Sequence, residues 1–132
     1  MRHAVLADAV SLYAAADEND SLHERAMQDF GKLENDGWEI MLAYPTLLET
    51  HSLVLRRMGI KAAARWMDYM TDAALVNPTP EDYRQAIAKI QAFPGQDITL
   101  FDATVAVLAL RLGLDVWTYD YHFDVMRVPV WR

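Results

Sequence analysis

Asp8, Glu49, Asp102 and Asp120 are the side chains of this sequence whose types and contexts lend themselves to shared chemistry. Asp102 stands in Ile98-Thr-Leu-Phe-Asp102-Ala, at the opening of an apolar helix, and Asp120 ends Val116-Trp-Thr-Tyr-Asp120, a run that reads as a buried strand. In open α/β sheets ligands bind outside the carboxyl ends of strands, so acids there are well placed to act. Crowded carboxylates repel, and some must protonate unless a cation compensates. Mg2+ and Mn2+ answer that need: both are hard ions that take carboxylate oxygens, keep several waters and lower the pKa of a bound water. The chemistry such a site supports is hydrolysis of a phosphodiester.

Two of the four acids have a purely structural alternative. Asp8 precedes an alanine-rich helix over residues 10–16 and can cap it by accepting backbone N–H groups. Thr46-Leu-Leu-Glu49 has the spacing of a capping box, which would account for Glu49 without any chemistry. On the residues alone both alternatives stand beside the metal-site reading.

The elements that must position these acids alternate along the chain. Ala4-Val-Leu-Ala7 is an apolar strand with Asp8 at its end. Ser21-Leu-His-Glu24 has capping-box spacing and leads a helix with Leu22, Ala26, Met27, Phe30 and Leu33 at helical intervals, stopped by Asn35-Asp36-Gly37. A second strand over residues 38–44 is broken by Pro45, and a helix runs from Thr46 to Met58, where Gly59 ends it. A further helix spans residues 60–74, and Leu75-Val76 makes a third short strand. Thr79-Pro80-Glu-Asp82 is a helix start with an N-cap threonine, proline at the first position and acids in the first turn; Pro94-Gly95 ends that helix. Residues 100–112 are apolar on nearly every face, with Ala103, Ala106 and Ala109 small enough for close packing on a sheet, and Gly113 closes the helix. Residues 114–119 form a strand. Residues 125–131 suit a short edge strand, since Pro129 is disfavoured in a central one. The expected architecture is a three-layer α/β/α sandwich around a mainly parallel sheet, with residues 1–132 as one domain.

Composition removes several classes of function. The five glycines are isolated, so neither a phosphate loop nor a dinucleotide fingerprint exists. No cysteine and four scattered histidines exclude a disulfide framework, thiolate chemistry and a structural zinc pattern. The formal charge of -7 argues against loose coating of nucleic acid, although bound cations can neutralise an acidic nuclease site. No apolar run approaches the roughly 18 residues of a membrane helix, and a soluble cytoplasmic protein is expected. Arg56, Arg57, Lys61 and Arg65 gather four of the twelve positive residues. They form either a solvated face or a patch for RNA phosphates. The helices over residues 47–70 carry Trp66, Met67 and Met70, which serve as core or as contacts to a second copy or another protein; an exposed Trp66 or Met70 would hold self-association.

Asp8 after an N-terminal strand, Leu48-Glu49 early in a helix, Leu100-Phe-Asp102-Ala opening an alanine-rich helix and Thr118-Tyr-Asp120-Tyr-His-Phe123 near the end resemble the PIN domain in order and spacing. With its size, the chain is similar to the VapC-type toxins of prokaryotic toxin–antitoxin pairs. The resemblance implies a parallel-sheet α/β/α fold and a Mg2+- or Mn2+-dependent endoribonuclease, homodimeric and held inactive by a cognate antitoxin. It implies Asp8, Glu49, Asp102 and Asp120 as the catalytic, metal-binding quartet, with Thr118 orienting Asp120 or a water. It leaves Asp124 as a further carboxylate beside the site and His122 and Phe123 as packing. One departure is plain: the family has Thr or Ser directly after the first acid, where this chain has Ala9 and its nearest hydroxyl at Ser11. The competing readings are a catalytically silent PIN-like module for RNA or a protein partner, and a phosphoacceptor domain. The second wants a lysine near the late strands, yet Lys89 is the last in the chain.

Overall fold

The computed structural model describes residues 3–132; Met1 and Arg2 of the expected 1–132 unit lie outside the described residues. Four parallel strands, β1 (Ala4–Ala7), β2 (Glu39–Ala43), β3 (Ala74–Val76) and β4 (Asp115–Trp117), form one sheet in the order β3-β2-β1-β4. Between and after them lie α1 (Ala9–Ala16), α2 (His23–Asn35), α3 (Tyr44–Met58), α4 (Ile60–Met70), α5 (Pro80–Gln91), α6 (Leu100–Leu112) and α7 (His122–Val125).

Alternation along the strands splits the core between two faces. Leu6 and Val116 point into one cluster with Ala86 of α5 and Ala103, Ala106 and Leu108 of α6. Val5, Ala7, Leu42 and Trp117 point into the other, against Leu12 and Ala14 of α1 and Ala26 and Leu33 of α2. A sheet covered on both faces needs largely apolar strands, which is how β1 reads throughout and β4 reads at Val116 and Trp117. The result is the expected three-layer sandwich. A smaller cluster joins Tyr13 of α1 to Val54 of α3 and to Ala62, Ala63 and Trp66 of α4.

The strand order creates a reversal beside β1. From β1 the chain builds outward through β2 and β3, and β4 returns to the opposite side of β1. The crevice outside the carboxyl ends of β1 and β4 is therefore the topological switch point, the ligand position of open α/β sheets.

Several local expectations hold. Thr79 and Asp82 form a reciprocal capping box at α5, with Thr79 N–H donating to Asp82 Oδ2 at 2.8 Å and Asp82 N–H to Thr79 Oγ1 at 3.1 Å. Gly113 ends α6 in the left-handed region at φ 67°, a conformation glycine adopts without the Cβ penalty. Ala103, Ala106 and Ala109 are buried against the sheet as their spacing predicts.

Other local signals lose to tertiary context. Ser21 does not cap α2: the N-cap is Leu22, whose N–H is taken by Asp20 Oδ1 at 2.8 Å. Thr46 does not cap α3, because Pro45 lies in the first turn rather than before the helix and Tyr44 is already helical. α4 ends at Met70, since Ala74 belongs to β3. Residues 125–131 form no strand. Val125 finishes α7, and Val130 makes a single parallel bridge to Val116, with Trp131 N–H donating to the Val116 carbonyl at 2.9 Å. Trp66 is 6% exposed and belongs to the α1–α3–α4 cluster, while Met70 is half-buried, so neither is the open contact that self-association would need. Among the described residues no helix is long and apolar enough to cross a membrane.

Candidate metal centre

Asp8 ends β1 and caps α1, so its two readings coexist in one carboxylate. Oδ1 accepts the Ser11 N–H at 2.9 Å and Oδ2 accepts a short hydrogen bond from the Thr118 hydroxyl. The Ser11 hydroxyl in turn donates to the Trp117 carbonyl at 2.8 Å, tying the turn after β1 to the end of β4. Ser11 and Thr118 thus supply the support that Ala9 lacks. Burial pushes the Asp8 pKa up to about 6, against the lowering effect of these hydrogen bonds, with the Asp120 charge adding to the rise.

Asp102 enters from the first turn of α6, where Thr99 Oγ1 accepts the Asp102 N–H at 3.1 Å and fixes the start of the helix. Its pKa is raised to about 7, chiefly by burial, then by the charges of Asp8 and Asp120, a hydrogen bond with Asp120 and the charge of Glu49. Glu49 projects from the second turn of α3, which follows β2. Since Thr46 is interior to that helix, the capping-box account of Glu49 fails. Burial and then the Asp8 charge lift the Glu49 pKa to about 7.

Asp120 lies just past β4, and its N–H donates to Thr118 Oγ1 at 3.0 Å. Thr118 therefore holds the carboxylate of Asp8 and the backbone of Asp120, rather than the Asp120 carboxylate. Tyr119 anchors the same segment to α2: it donates to Asp29 at 2.7 Å, accepts from Trp117 Nε1 at 3.0 Å and lies under the Arg25 guanidinium.

Ligating atoms of Asp102, Asp120 and His122 lie within 4.8 Å of one another. Asp8 and Glu49 flank this tight group, outside that distance but near enough for their charges to act on Asp102. The structure thus brings together all four acids. Burial raises the pKa values of Asp8, Glu49 and Asp102, and the charges of neighbouring acids add to each rise.

His122 was readable from sequence only as packing. It is indeed buried, yet both of its ring nitrogens face carboxylates. The only prior signal was its position two residues after Asp120. Asp124, by contrast, is exposed and held by Arg132 through contacts of 2.8 and 3.1 Å. Of the basic residues, Arg56 donates to Ser52, Arg57 lies over the Tyr13 ring at 4.9 Å, and Lys61 and Arg65 are exposed on α4.

The PIN-domain family model matches residues 5–129, and the chain belongs to that family. Among solved structures it is similar to the Mycobacterium tuberculosis toxin VapC20, described as cleaving the sarcin–ricin loop, with a TM-score of 0.86 and 19% identity over 97% of this chain and 98% of that one. VapBC2 from Rickettsia felis, bound to a DNA fragment from its promoter, aligns with a TM-score of 0.74 and 11% identity, covering 96% of each chain. FitAcB from Neisseria gonorrhoeae gives 0.69 and 18%, over 97% of this chain and 96% of that one. At these identities the likeness is one of fold. No curated protein sequence matches the chain significantly.

Proposed function

We propose that this chain is a Mg2+- or Mn2+-dependent endoribonuclease and the toxin of a toxin–antitoxin pair. The observation that carries the proposal is the convergence of Asp8, Glu49, Asp102 and Asp120 at the switch point, where burial and neighbouring carboxylate charge raise the pKa values of Asp8, Glu49 and Asp102. The donor set fits a hard divalent cation: it is built of carboxylate oxygens, and three of those carboxyls have pKa values raised to between about 6 and 7, by burial first and then by neighbouring charge, both of which a bound cation would offset. Asp102 and Asp120 would hold the ion, with Glu49 and Asp8 completing its surroundings. When bound, such an ion lowers the pKa of water and stabilises charge on a phosphoryl oxygen.

The remaining roles belong to the chain itself. Ser11 and Thr118 keep Asp8 in one orientation, and Thr99 fixes the helix start that presents Asp102. An RNA substrate is supported by family membership and by the fold shared with a toxin that cleaves the sarcin–ricin loop. A cognate antitoxin is supported by the toxin–antitoxin complexes among the similar structures. A groove of about 920 Å³, lined by Phe30, Tyr69 and Met70 and by the charged Asp17, Glu18, Arg65 and Asp72, offers such a partner a surface. We place the protein in the cytoplasm as a homodimer, for which exposed Leu48, Ile60 and Tyr69 supply apolar area.

The test is cleavage of a mixed pool of structured cellular RNAs by the purified chain with Mg2+ or Mn2+, beside Asp102→Asn and a chelator control. Cleavage that needs metal and falls by at least about 100-fold in Asp102→Asn is expected, because a lost ligand should exceed the 10–100-fold typical of an outer hydrogen-bond partner. A folded protein that neither cleaves nor binds Mn2+ would instead be the silent PIN-like module.

A further inference from the structure

Tyr121 directly follows Asp120, yet 62% of its surface is open to solvent. Its ring is nevertheless supported. It leans on the His122 imidazole, with 4.4 Å between ring centroids and 38° between planes. That imidazole is itself anchored, since His122 is 8% exposed and its Nε2 hydrogen-bonds the Asp97 carboxylate at 3.1 Å. The backbone is fixed as well. The Asp124 and Val125 N–H groups donate to the Tyr121 carbonyl at 3.0 and 3.1 Å, and Asp120 Oδ1 accepts the His122 N–H at 2.9 Å. One face of the phenol ring therefore rests on the protein, and among the described residues no second ring and no cation lies against it.

The same contacts place the ring at the edge of the four acids. A His122 ring nitrogen lies 3.1 Å from Asp120 Oδ1, so the Tyr121 ring is one side chain removed from a carboxylate of the centre. A phosphodiester at the acids brings its neighbouring base within reach of that ring. Charge points the same way. The chain carries a formal charge of -7, which weakens counterion release from an RNA backbone as a source of affinity. Stacking of a base on an aromatic ring needs no positive charge, and it tolerates any base because each has a π face.

We propose that Tyr121 is a base-stacking platform, and that the RNA this chain accepts carries an unpaired base next to the scissile phosphate. The proposal deepens the ribonuclease reading and rests on it. A base within a duplex has both faces covered by its neighbours, and freeing it costs unstacking and unpairing, whereas an unpaired base offers a face at once. Tyr121 thus selects loops and single strands over duplex without reading sequence.

The probes are a short mixed-sequence single-stranded RNA and the duplex it forms with its complement. Binding is measured by fluorescence anisotropy in Ca2+, with gels to confirm intact RNA, for wild type, Tyr121→Leu, Tyr121→Phe and Tyr83→Leu. Tyr83 is the control: it is exposed beside Asp82, which Arg111 binds at the other end of α6 from Asp102. Wild type should prefer the single strand. Tyr121→Leu should weaken that binding by about 5–100-fold, the range for one lost stacked base, and leave duplex binding unchanged. Tyr121→Phe, which keeps the ring, and Tyr83→Leu should both match wild type.

Unchanged single-strand binding in Tyr121→Leu overturns the platform and leaves the ribonuclease reading intact, as does cleavage of duplex as readily as of single strand. Wild type that binds neither RNA also overturns the platform. Tyr121-dependent binding without any cleavage in Mn2+ sinks the ribonuclease reading instead and keeps Tyr121 as the stacking residue. A second measurement needs no variant: the single strand carrying 5-iodouridine is irradiated on wild type, and the cross-link is mapped by mass spectrometry. A cross-link at Tyr121 supports the platform, and cross-links confined to other residues overturn it. A fall in oligomeric mass in Tyr121→Leu with RNA binding unchanged assigns the ring to a contact between copies, and overturns the proposal too.

Discussion

The two ends of α6 carry the same ionic problem with opposite solutions. At its carboxyl end Arg111 donates twice to the buried Asp82, at 2.8 Å to each oxygen, and this hydrogen-bonded guanidinium holds the Asp82 pKa below the usual carboxylate value. At its amino end Asp102 meets Asp8, Asp120 and Glu49, and burial with their charges raises its pKa to about 7. Asp82 is a finished interaction, fastening α5 to α6. Asp102 belongs to a group of acids whose charges face one another, the arrangement that the proposed divalent cation would complete. An acid's burial alone therefore does not distinguish structure from function; the source of the countercharge does.

Exchanging the two solutions tests this contrast, and the largest effect lies at Asp102. Beyond abolishing cleavage, Asp102→Asn should make the metal-free protein more stable at pH 8, by about 0.5–2 kcal/mol, as removal of strain from a functional site commonly does. Denaturant unfolding with and without Mn2+ checks it: a metal-free variant less stable than wild type would mean that the acids do not repel as described.

Asp82→Ala should act in the opposite sense. Loss of the Asp82 half of the α5 capping box and of both Arg111 bonds should destabilise the fold by about 1–3 kcal/mol at any metal concentration, and the same unfolding experiment reads it. If Mn2+ suppressed that loss, the two ends of α6 would not be independent.

pH sharpens the comparison next. Asp8, Glu49 and Asp102 have folded pKa values of about 6, 7 and 7 against ordinary values of 3.8, 4.5 and 3.8, so between these limits the folded state binds more protons than the unfolded. Their contribution is fully present below about pH 4 and is lost as pH rises through 7. For Asp82 the sign reverses: its contribution is present above the ordinary value and is lost as pH falls through its depressed folded value. The unfolding temperature of the metal-free protein should hence drop from pH 5 to pH 8, and Mn2+ should raise it more at pH 8. An equal Mn2+ effect at both values would contradict the titration. The smallest effect belongs to Asp124→Asn, where an exposed pair with Arg132 should contribute less than about 1 kcal/mol and leave cleavage unchanged.

The sequence by itself determined the elements and the acids. Apolar strands suited to burial on both faces, the Thr79–Asp82 cap, the alanine stripe of α6 and the glycine that ends it are short-range properties, set by side-chain shape, hydrogen bonding within a turn and backbone sterics. Local signals failed where a competing contact came from elsewhere. Ser21 and Thr46 have cap spacing but no cap, because Asp20 and Pro45 lead their helices differently, and Trp66 faces Tyr13 and Val54 rather than solvent.

Only the tertiary structure decided that Asp8 leans on Thr118, that β4 returns to the side of β1 opposite β2, and that the His122 ring meets Asp97 through Nε2. Each of these depends on residues far apart in the chain meeting after the strands have paired. A side chain's type restricts what it can bond, but its partner is chosen by the packing of the whole sheet and its helices.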